Sequence, residues 1–199
     1  MQKILVFERL AGGLPRMLAG GGIAALLLGA IGTSIWVAPG APGYLGAGLA
    51  LLMLAIALID ARYFIIPDEL NAAGFILALV NAAVTAQAMW EAVGFAILRG
   101  TALALLFFGL RAGYRRLRGR EGLGLGDVKL AAVAGAWLDT LTIPITVEIA
   151  ALAALAVYGV RHYVVGRVPD RAAKFPFGLF LAPSIWIGWL LETTLFAPG

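Results

Sequence analysis

The stretch GLGLGDVKLAAVAGAW, residues 122–137, places glycine at every second position before a single carboxylate and an apolar helix. The glycines are Gly122, Gly124 and Gly126, and the acid is Asp127. Because glycine costs about 1 kcal/mol relative to alanine inside a helix, this run needs a local reason. One explanation is that Asp127 caps the helix and that the glycines form a flexible segment leading into it. The other is a site at which a second backbone comes close to the carboxylate.

The composition around this stretch is that of a membrane protein. Of 199 residues, 62% are hydrophobic and 13% are charged, and the mean hydropathy is +0.95. Soluble domains contain about 45–50% apolar and about 25% charged residues. We therefore expect an integral membrane protein with one membrane-embedded domain, residues 17–199, which follows a short cytoplasmic or interfacial segment, residues 1–16.

Apolar segments of spanning length recur along the whole chain. A transmembrane helix needs about 20 apolar residues. The candidate spans are 17–36, 43–60, 70–87, 91–110, 127–139, 142–163 and 177–196. Segment 127–139 is short and suits a partial span. The sequence thus predicts an all-α polytopic bundle of about seven transmembrane helices.

Connections that contain Lys or Arg alternate along the chain with connections that contain none. The N-terminal segment holds three Lys or Arg, residues 61–69 one, residues 111–129 six and residues 161–176 four, whereas the intervening connections hold none. The positive-inside rule assigns basic connections to the cytoplasm. The N-terminus is therefore predicted to be cytoplasmic, and Asp60 and Asp127 are predicted to lie at the cytoplasmic membrane surface.

A second acidic stretch, ALIDARYFIIPDELN, covers residues 57–71. Asp60 ends an apolar helix, where the helix dipole disfavours an acid. A charged side chain in the membrane is also costly unless it faces water, a partner or a site. A plain helix-end residue that faces the headgroups is the alternative. Asp68 and Glu69 follow Pro67, which is typical of a helix start. Their charge could also hold a basic substrate segment.

Two aspartates on one membrane face suggest an aspartic dyad. Carboxyl groups that share a site cannot both ionise cheaply, so one keeps its proton and the pair titrates as a unit. The ionised acid can take a proton from water while the protonated acid polarises a peptide carbonyl. Such hydrolysis needs neither metal nor thiol, and a chain with no Cys and one His cannot supply the four ligands of a zinc site.

Other charged residues leave alternatives open. Lys129 could tune the nearby Asp127 or bind lipid headgroups. Arg99 and Glu148 fall within spans, where they form either a buried pair or part of a water path. The run RAGYRRLRGRE, residues 111–121, is predicted to bind anionic headgroups through residues 111–120 and to set topology. No basic recognition element for nucleic acid accompanies it.

Three pieces of the chain carry a family resemblance: LIDARYFIIPDELN (58–71), GLGLGDVKLAAVAGAWL (122–138) and FPFGLFLAPSIW (175–186). In order and spacing they resemble the prepilin peptidases, bacterial inner-membrane aspartic proteases of the GxGD type, from about residue 43 onward. The resemblance implies that Asp60 and Asp127 are the catalytic pair. It also implies removal of short basic leader peptides from type IV prepilins or type II secretion pseudopilins, after a glycine and at the cytoplasmic face. Candidate substrate-binding residues around the pair are Asp68, Glu69, Gly122, Gly124, Gly126 and Lys129.

One departure from that family concerns N-methylation of the new terminus. Many members carry an N-terminal region with two Cys pairs, which is associated with zinc and with methylation. This chain has no Cys, and residues 1–16 are too short for such a region. We therefore expect peptidase activity without methylation and without a cofactor. Flp-type peptidases also lack the region, although the residues of the motifs in this chain resemble the type II secretion and type IV pilus branch more closely.

Two rival functions belong to other classes. A small transporter or proton-conducting protein would use Asp60, Asp127, Arg99 and Glu148 as a proton route. The absence of an internal repeat and the surface position of the glycine-flanked acids count against it. A catalytically silent assembly subunit of a secretion system is the other rival, and the sequence does not decide against it.

Overall fold

The computed structural model of the chain describes residues 21–119, 122–165 and 176–196. Within those ranges the chain forms seven α-helices and a short π-helix, and no strand. The elements are α1 (Gly21–Val37), α2 (Ala41–Tyr63), α3 (Asp68–Thr85), α4 (Met89–Arg118), α5 (Leu125–Trp137), α6 (Thr142–Val165), α7 (Gly178–Leu191) and the π-helix Glu192–Phe196. The predicted all-α fold is confirmed. The predicted segment 1–16 and most of the basic connection 161–176 lie outside the described residues.

Among the described residues, four helices are long and apolar enough to cross a membrane by length and composition. They cover Ala41–Tyr63, Met89–Arg118, Thr142–Val160 and Gly178–Leu195, and α1 is a shorter apolar helix. Helix α5 has only 13 residues, which correspond to about 20 Å against a hydrocarbon core of about 30 Å. The chain is therefore a multi-pass helical membrane protein in which α5 is the short helix that the sequence predicts.

Helix α5 lies at the centre of the bundle. It packs against α4, α3 and α7, while α2 packs against α1, α3 and α7, and α6 packs against α7. Nine of the thirteen α5 residues are buried, as expected for a helix that is apolar on all sides. Trp137, its last residue, donates its indole Nε1–H to the carbonyl of Gly74 on α3 at 3.1 Å. The short helix is thus enclosed by protein on several sides.

Helix α4 is longer than the membrane span predicted within it, residues 91–110. It continues through Arg115 and Arg116 to Arg118. Arginine and leucine favour helix, basic residues suit the end of a helix dipole, and Gly119 closes the helix in a left-handed conformation with φ +66°. Residues 111–118 of the predicted loop are therefore helical. Their predicted contact with lipid headgroups stays a prediction.

Both acid-bearing helix ends lie at one end of the bundle. Helices α2 and α4 end there, and helices α3, α5 and α7 begin there. Hydrogen bonds between these segments show it: Leu179 to Asp60, Arg111 to Leu123, and Lys129 to Asp68. We call this the basic end, because the exposed residues Arg62, Arg115, Arg116 and Arg118 occur on it. It is the end that the charge count predicts to be cytoplasmic.

Arg99 does not form the predicted pair with Glu148. Its Nη1 contacts Asp139 Oδ1 at 3.1 Å, and its Nε donates to the Gly135 carbonyl at 3.3 Å. Glu192 accepts the backbone N–H of Asp139, whereas Glu148 is exposed on α6. The reason is the packing order, because α4 packs on α5 and α6 packs on α7. Arg99 therefore fixes the C-terminal end of α5 to α4.

We expect Arg99→Gln to lower the free energy of unfolding by about 2 kcal/mol, because hydrogen bonds to charged groups contribute about 1.5–3 kcal/mol. In thermal unfolding of the purified protein in detergent, this corresponds to a midpoint about 4–8 °C lower. Arg116→Gln, an exposed arginine on the same helix, is the matched control and should stay within about 0.5 kcal/mol. Equal midpoints for the two variants would contradict the assigned role of Arg99.

Candidate active site

Asp60 is buried in the last turn of α2, with 5% of the residue exposed. Its Oδ2 accepts the backbone N–H of Leu179 at 2.9 Å. Gly178, the first residue of α7, also lies against this carboxylate, since a Cβ built on it would lie 2.9 Å from Asp60 Oδ2. An acid at the unfavourable end of its own helix is thus stabilised by the N-terminus of another helix, α7, where N–H groups are unpaired and the dipole favours an anion.

Asp127 is the third residue of α5 and is also buried, with 8% of the residue exposed. Its Oδ2 accepts the backbone N–H of Gly124 at 3.0 Å. The acid therefore satisfies an otherwise unpaired donor just before its own helix, as the capping explanation predicts. It also lies close enough to Asp60 for the two negative charges to repel each other. Capping and participation in a shared site are therefore compatible.

The two acids line one cavity of about 240 Å³ at the basic end. The loop between α2 and α3 and the start of α5 supply most of the remaining wall. Its lining residues are Asp60, Phe64, Ile65, Ile66, Asp68, Gly124, Leu125, Gly126, Asp127 and Lys129. The structure thus brings together, along one cavity, the two aspartates that the sequence predicts as a dyad. Their catalytic role stays a prediction.

Ile66 is the buried side chain around which the acid-bearing segments pack. A Cβ built on Gly126 would lie 2.9 Å from Ile66 Cβ. A Cβ built on Gly178 would lie 2.5 Å from Ile66 Cδ1 and 2.9 Å from Asp60 Oδ2. Both positions therefore require glycine for close approach. Ile66, Gly178 and Leu179 were not among the predicted site residues. Ile66 lies in the motif LIDARYFIIPDELN, and the other two lie in FPFGLFLAPSIW.

The other glycines of the 122–126 run contact the protein's own neighbouring groups. Gly122 lies over the ring of Tyr114, since a Cβ built on it would come within 2.6 Å of Cδ1. Arg111 Nη1 donates to the carbonyl of Leu123 at 2.9 Å and so holds the run against α4. The alternating glycines thus allow this loop to lie flat between α4 and Ile66. These close contacts are with side chains of this same chain, and the approach of a second backbone to the carboxylate stays a prediction.

Lys129 and Asp68 form an ion pair at the mouth of the cavity. Lys129 Nζ donates to Asp68 Oδ1 at 2.6 Å, and both side chains are exposed. Neither alternative predicted for Lys129 describes this contact, which joins the first turns of α5 and α3. Glu69, beside Asp68 in the first turn of α3, is exposed. Among the described residues, no three His, Cys, Asp or Glu side chains are grouped as a metal site requires.

A helical membrane bundle with a carboxyl-lined cavity at one end is the class of protein that the fold and site define. A model of the type IV leader peptidase family matches residues 47–160, more than half of the chain. The chain belongs to the type IV leader peptidase family. The resemblance seen in the three motifs is thereby confirmed.

Individual relatives agree with this assignment. The leader peptidase HopD of Escherichia coli is 34% identical over 146 residues, which are 70% of this chain and 88% of that protein. A prepilin leader peptidase/N-methyltransferase of Pectobacterium carotovorum is 32% identical over 172 residues, with 85% of this chain and 56% of the relative covered. The corresponding protein of Aeromonas salmonicida is 29% identical over 160 residues, which are 74% and 52% of the two chains. The chain thus spans about half the length of several curated relatives, and no solved structure matches it significantly.

Proposed function

We propose that this chain is a membrane-embedded aspartic endopeptidase in which Asp60 and Asp127 are the catalytic residues. The observation that supports it most is the convergence of these two buried carboxyl groups, from different helices, on one cavity at the basic end. Buried acids in a membrane protein are costly, and a pair of them in a cavity marks a functional site.

In the proposed reaction, one acid of the pair is ionised and the other is protonated, because two negative charges in one cavity repel each other. The ionised acid takes a proton from a water molecule, whose oxygen attacks the peptide carbonyl carbon. The protonated acid donates its proton to the carbonyl oxygen. When the tetrahedral intermediate collapses, the carbon–nitrogen bond breaks and the leaving nitrogen takes a proton from one acid. A hydroxyl of the intermediate returns its proton to the other acid as the carbonyl re-forms, so the pair again holds one proton. The N–H of Leu179 orients Asp60 throughout, and the N–H of Gly124 orients Asp127.

The proposed substrate is a type IV prepilin or a type II secretion pseudopilin, cleaved on the cytoplasmic side of the bacterial inner membrane. The family assignment supports this substrate class, and the position of the acids at the basic end supports the side. Exposed Asp68 and Glu69 lie next to the cavity, where they suit a leader peptide that carries basic residues. The substrate's hydrophobic helix would remain in the membrane beside the bundle.

The test is a cleavage assay with the purified chain in detergent and a purified prepilin. We expect the substrate to lose the mass of its leader, with the new N-terminus directly after a glycine. A substrate with a bulky residue in place of that glycine is the control and should stay intact. No mass loss from the natural substrate would contradict the proposal and leave the transporter and the silent assembly subunit as the surviving functions.

For the candidate leader-binding acids, we expect milder effects. Asp68→Asn and Glu69→Gln should each raise KM by up to about 5-fold with kcat nearly unchanged, because exposed charge pairs contribute only about 0.2–1 kcal/mol. The effect should shrink at high ionic strength, since salt screens exposed charges. Glu91→Gln, an exposed acid in the first turn of α4 at the opposite end of the bundle, is the matched control. A fall in kcat alone would show that these acids do not act through leader binding.

A further inference from the structure

Asn71 is a buried polar residue without a role in the site as described so far. It lies in the first turns of α3, with only 5% of the residue exposed. Among the residues that the structure describes, neither its Oδ1 nor its Nδ2 has a hydrogen-bond partner. A buried amide in this state has lost the hydrogen bonds that water provides, so such groups are rare and need a specific explanation.

The level of Asn71 in the bundle follows from the contacts of its neighbours. Asn71 shares the buried face of α3 with Gly74. A Cβ built on Gly74 would lie 3.1 Å from Val133 Cγ1 on α5 and 3.6 Å from Met53 Cε on α2. Helix α3 runs parallel to α5 and antiparallel to α2, and Asn71 lies three residues before Gly74, so it lies level with Leu130 and Ile56. Leu130 is three residues from Asp127 and Ile56 is four from Asp60, which in each case is close to one helical turn, about 5.4 Å. Asn71 therefore lies one turn beneath the acid pair.

The direction of the side chains favours Asp60 as the partner of Asn71. In a helix, each Cα–Cβ bond tilts toward the helix N-terminus. Helices α3 and α5 begin at the basic end, so Asn71 inclines toward the acid pair and Asp127 inclines away from Asn71, toward Gly124. Helix α2 ends at the basic end, so Asp60 inclines inward. Asn71 and Asp60 therefore incline toward each other.

We propose that Asn71 is a positioning residue for the acid pair: in the reacting enzyme its carboxamide donates a hydrogen bond to the carboxylate of Asp60. Asp60 can accept this bond together with the one from Leu179, since a carboxylate has two oxygens and about four lone-pair positions. The two donors then hold Asp60 from opposite sides and fix its orientation toward the scissile peptide. This inference rests on the proposed peptidase function, because it assigns Asn71 a part in that reaction.

Asn71→Leu tests the proposal, because leucine has nearly the same shape and removes both unpartnered atoms. We expect the thermal unfolding midpoint to stay equal or to rise, while kcat for prepilin cleavage falls at least about 10-fold with KM unchanged. The pH profile of kcat should also shift, since the ionised form of Asp60 loses a donor. Asn71→Ser, which keeps a short hydroxyl donor, should restore part of the lost activity.

The matched control is Asn81→Leu, which makes the same substitution on the same helix. Asn81 Oδ1 is also buried without a partner, but ten residues, about 15 Å, separate it from Asn71 along α3. Asn81→Leu should leave cleavage unchanged. A stable, fully active Asn71→Leu variant, a lowered midpoint, or a change in KM alone would each overturn the proposal. If the unmodified protein does not cleave prepilin, the proposed function fails instead, which separates the two results.

Discussion

Asp127→Asn and Asp60→Asn should each reduce prepilin cleavage about 10²- to 10⁴-fold, the range by which positioned acids and bases accelerate reactions. Asparagine keeps the shape of aspartate but cannot exchange a proton, so the pair loses either its base or its acid. Both variants should still insert into the membrane and fold, because the amide oxygen can accept the same backbone N–H from Gly124 or Leu179. The measurement is the rate of leader release by mass spectrometry, together with detergent-solubilised yield and thermal midpoint.

Glu91→Gln serves as the control for these two variants as well, since it removes an exposed acid far from the cavity. Its cleavage rate should match that of the unmodified chain. The double variant Asp60→Asn with Asp127→Asn should be no slower than the worse single variant, because residues that act as a unit do not contribute additively. Retained cleavage in both single variants would show that the aspartic mechanism is wrong.

Gly178→Ala is expected to reduce cleavage by about 10²-fold, even though it adds only one methyl group. The new Cβ would lie 2.5 Å from Ile66 Cδ1 and 2.9 Å from Asp60 Oδ2, closer than such contacts allow. Either the N-terminus of α7 or the side chains of Ile66 and Asp60 must then shift, and in both cases the 2.9 Å hydrogen bond from Leu179 to Asp60 lengthens or breaks. A displacement of about 1 Å in an active site can cost about 10²-fold in rate.

Gly159→Ala is the matched control for this prediction. Gly159 also lies in a helix, α6, but a Cβ built on it would meet no atom within 4 Å. That variant should keep full activity and should gain slightly in stability, because alanine favours helix over glycine. If Gly178→Ala cleaved prepilin as fast as Gly159→Ala, the α7 N-terminus would not be needed to orient Asp60.

Local sequence features predicted much of this fold. The apolar segments predicted seven helices, and the shortest, near residues 127–139, is the short helix α5. Pro67 followed by Asp68 predicted the start of α3, which begins at Asp68. The distribution of basic residues among the connections predicted that Asp60 and Asp127 share one membrane face, and both lie in the cavity at the basic end. The first two inferences depend on residues close together in the chain, and the third depends on a count of charges over the whole chain.

Pairings between helices could not be predicted in the same way. Leu179 binds Asp60 across 119 positions, Lys129 binds Asp68 across 61, and Arg99 binds Asp139 across 40. The partner of a charge in a bundle depends on which helices are neighbours, and apolar composition does not determine that order. The extent of α4 was missed for a different reason, since its last turns are helical but too polar to count as a membrane span.

The short length of α5 has a consequence for biosynthesis. A helix of 13 residues cannot bridge the hydrocarbon core by itself, so it is stable only when its protein neighbours surround it. One of those neighbours, α7, leaves the ribosome after α5 and also brings the backbone donor for Asp60. The hydrogen bond from Leu179 that holds Asp60 therefore forms only after α7 has been made. An unfinished polypeptide that ends before α7 contains both acids but lacks the backbone donor that fixes one of them.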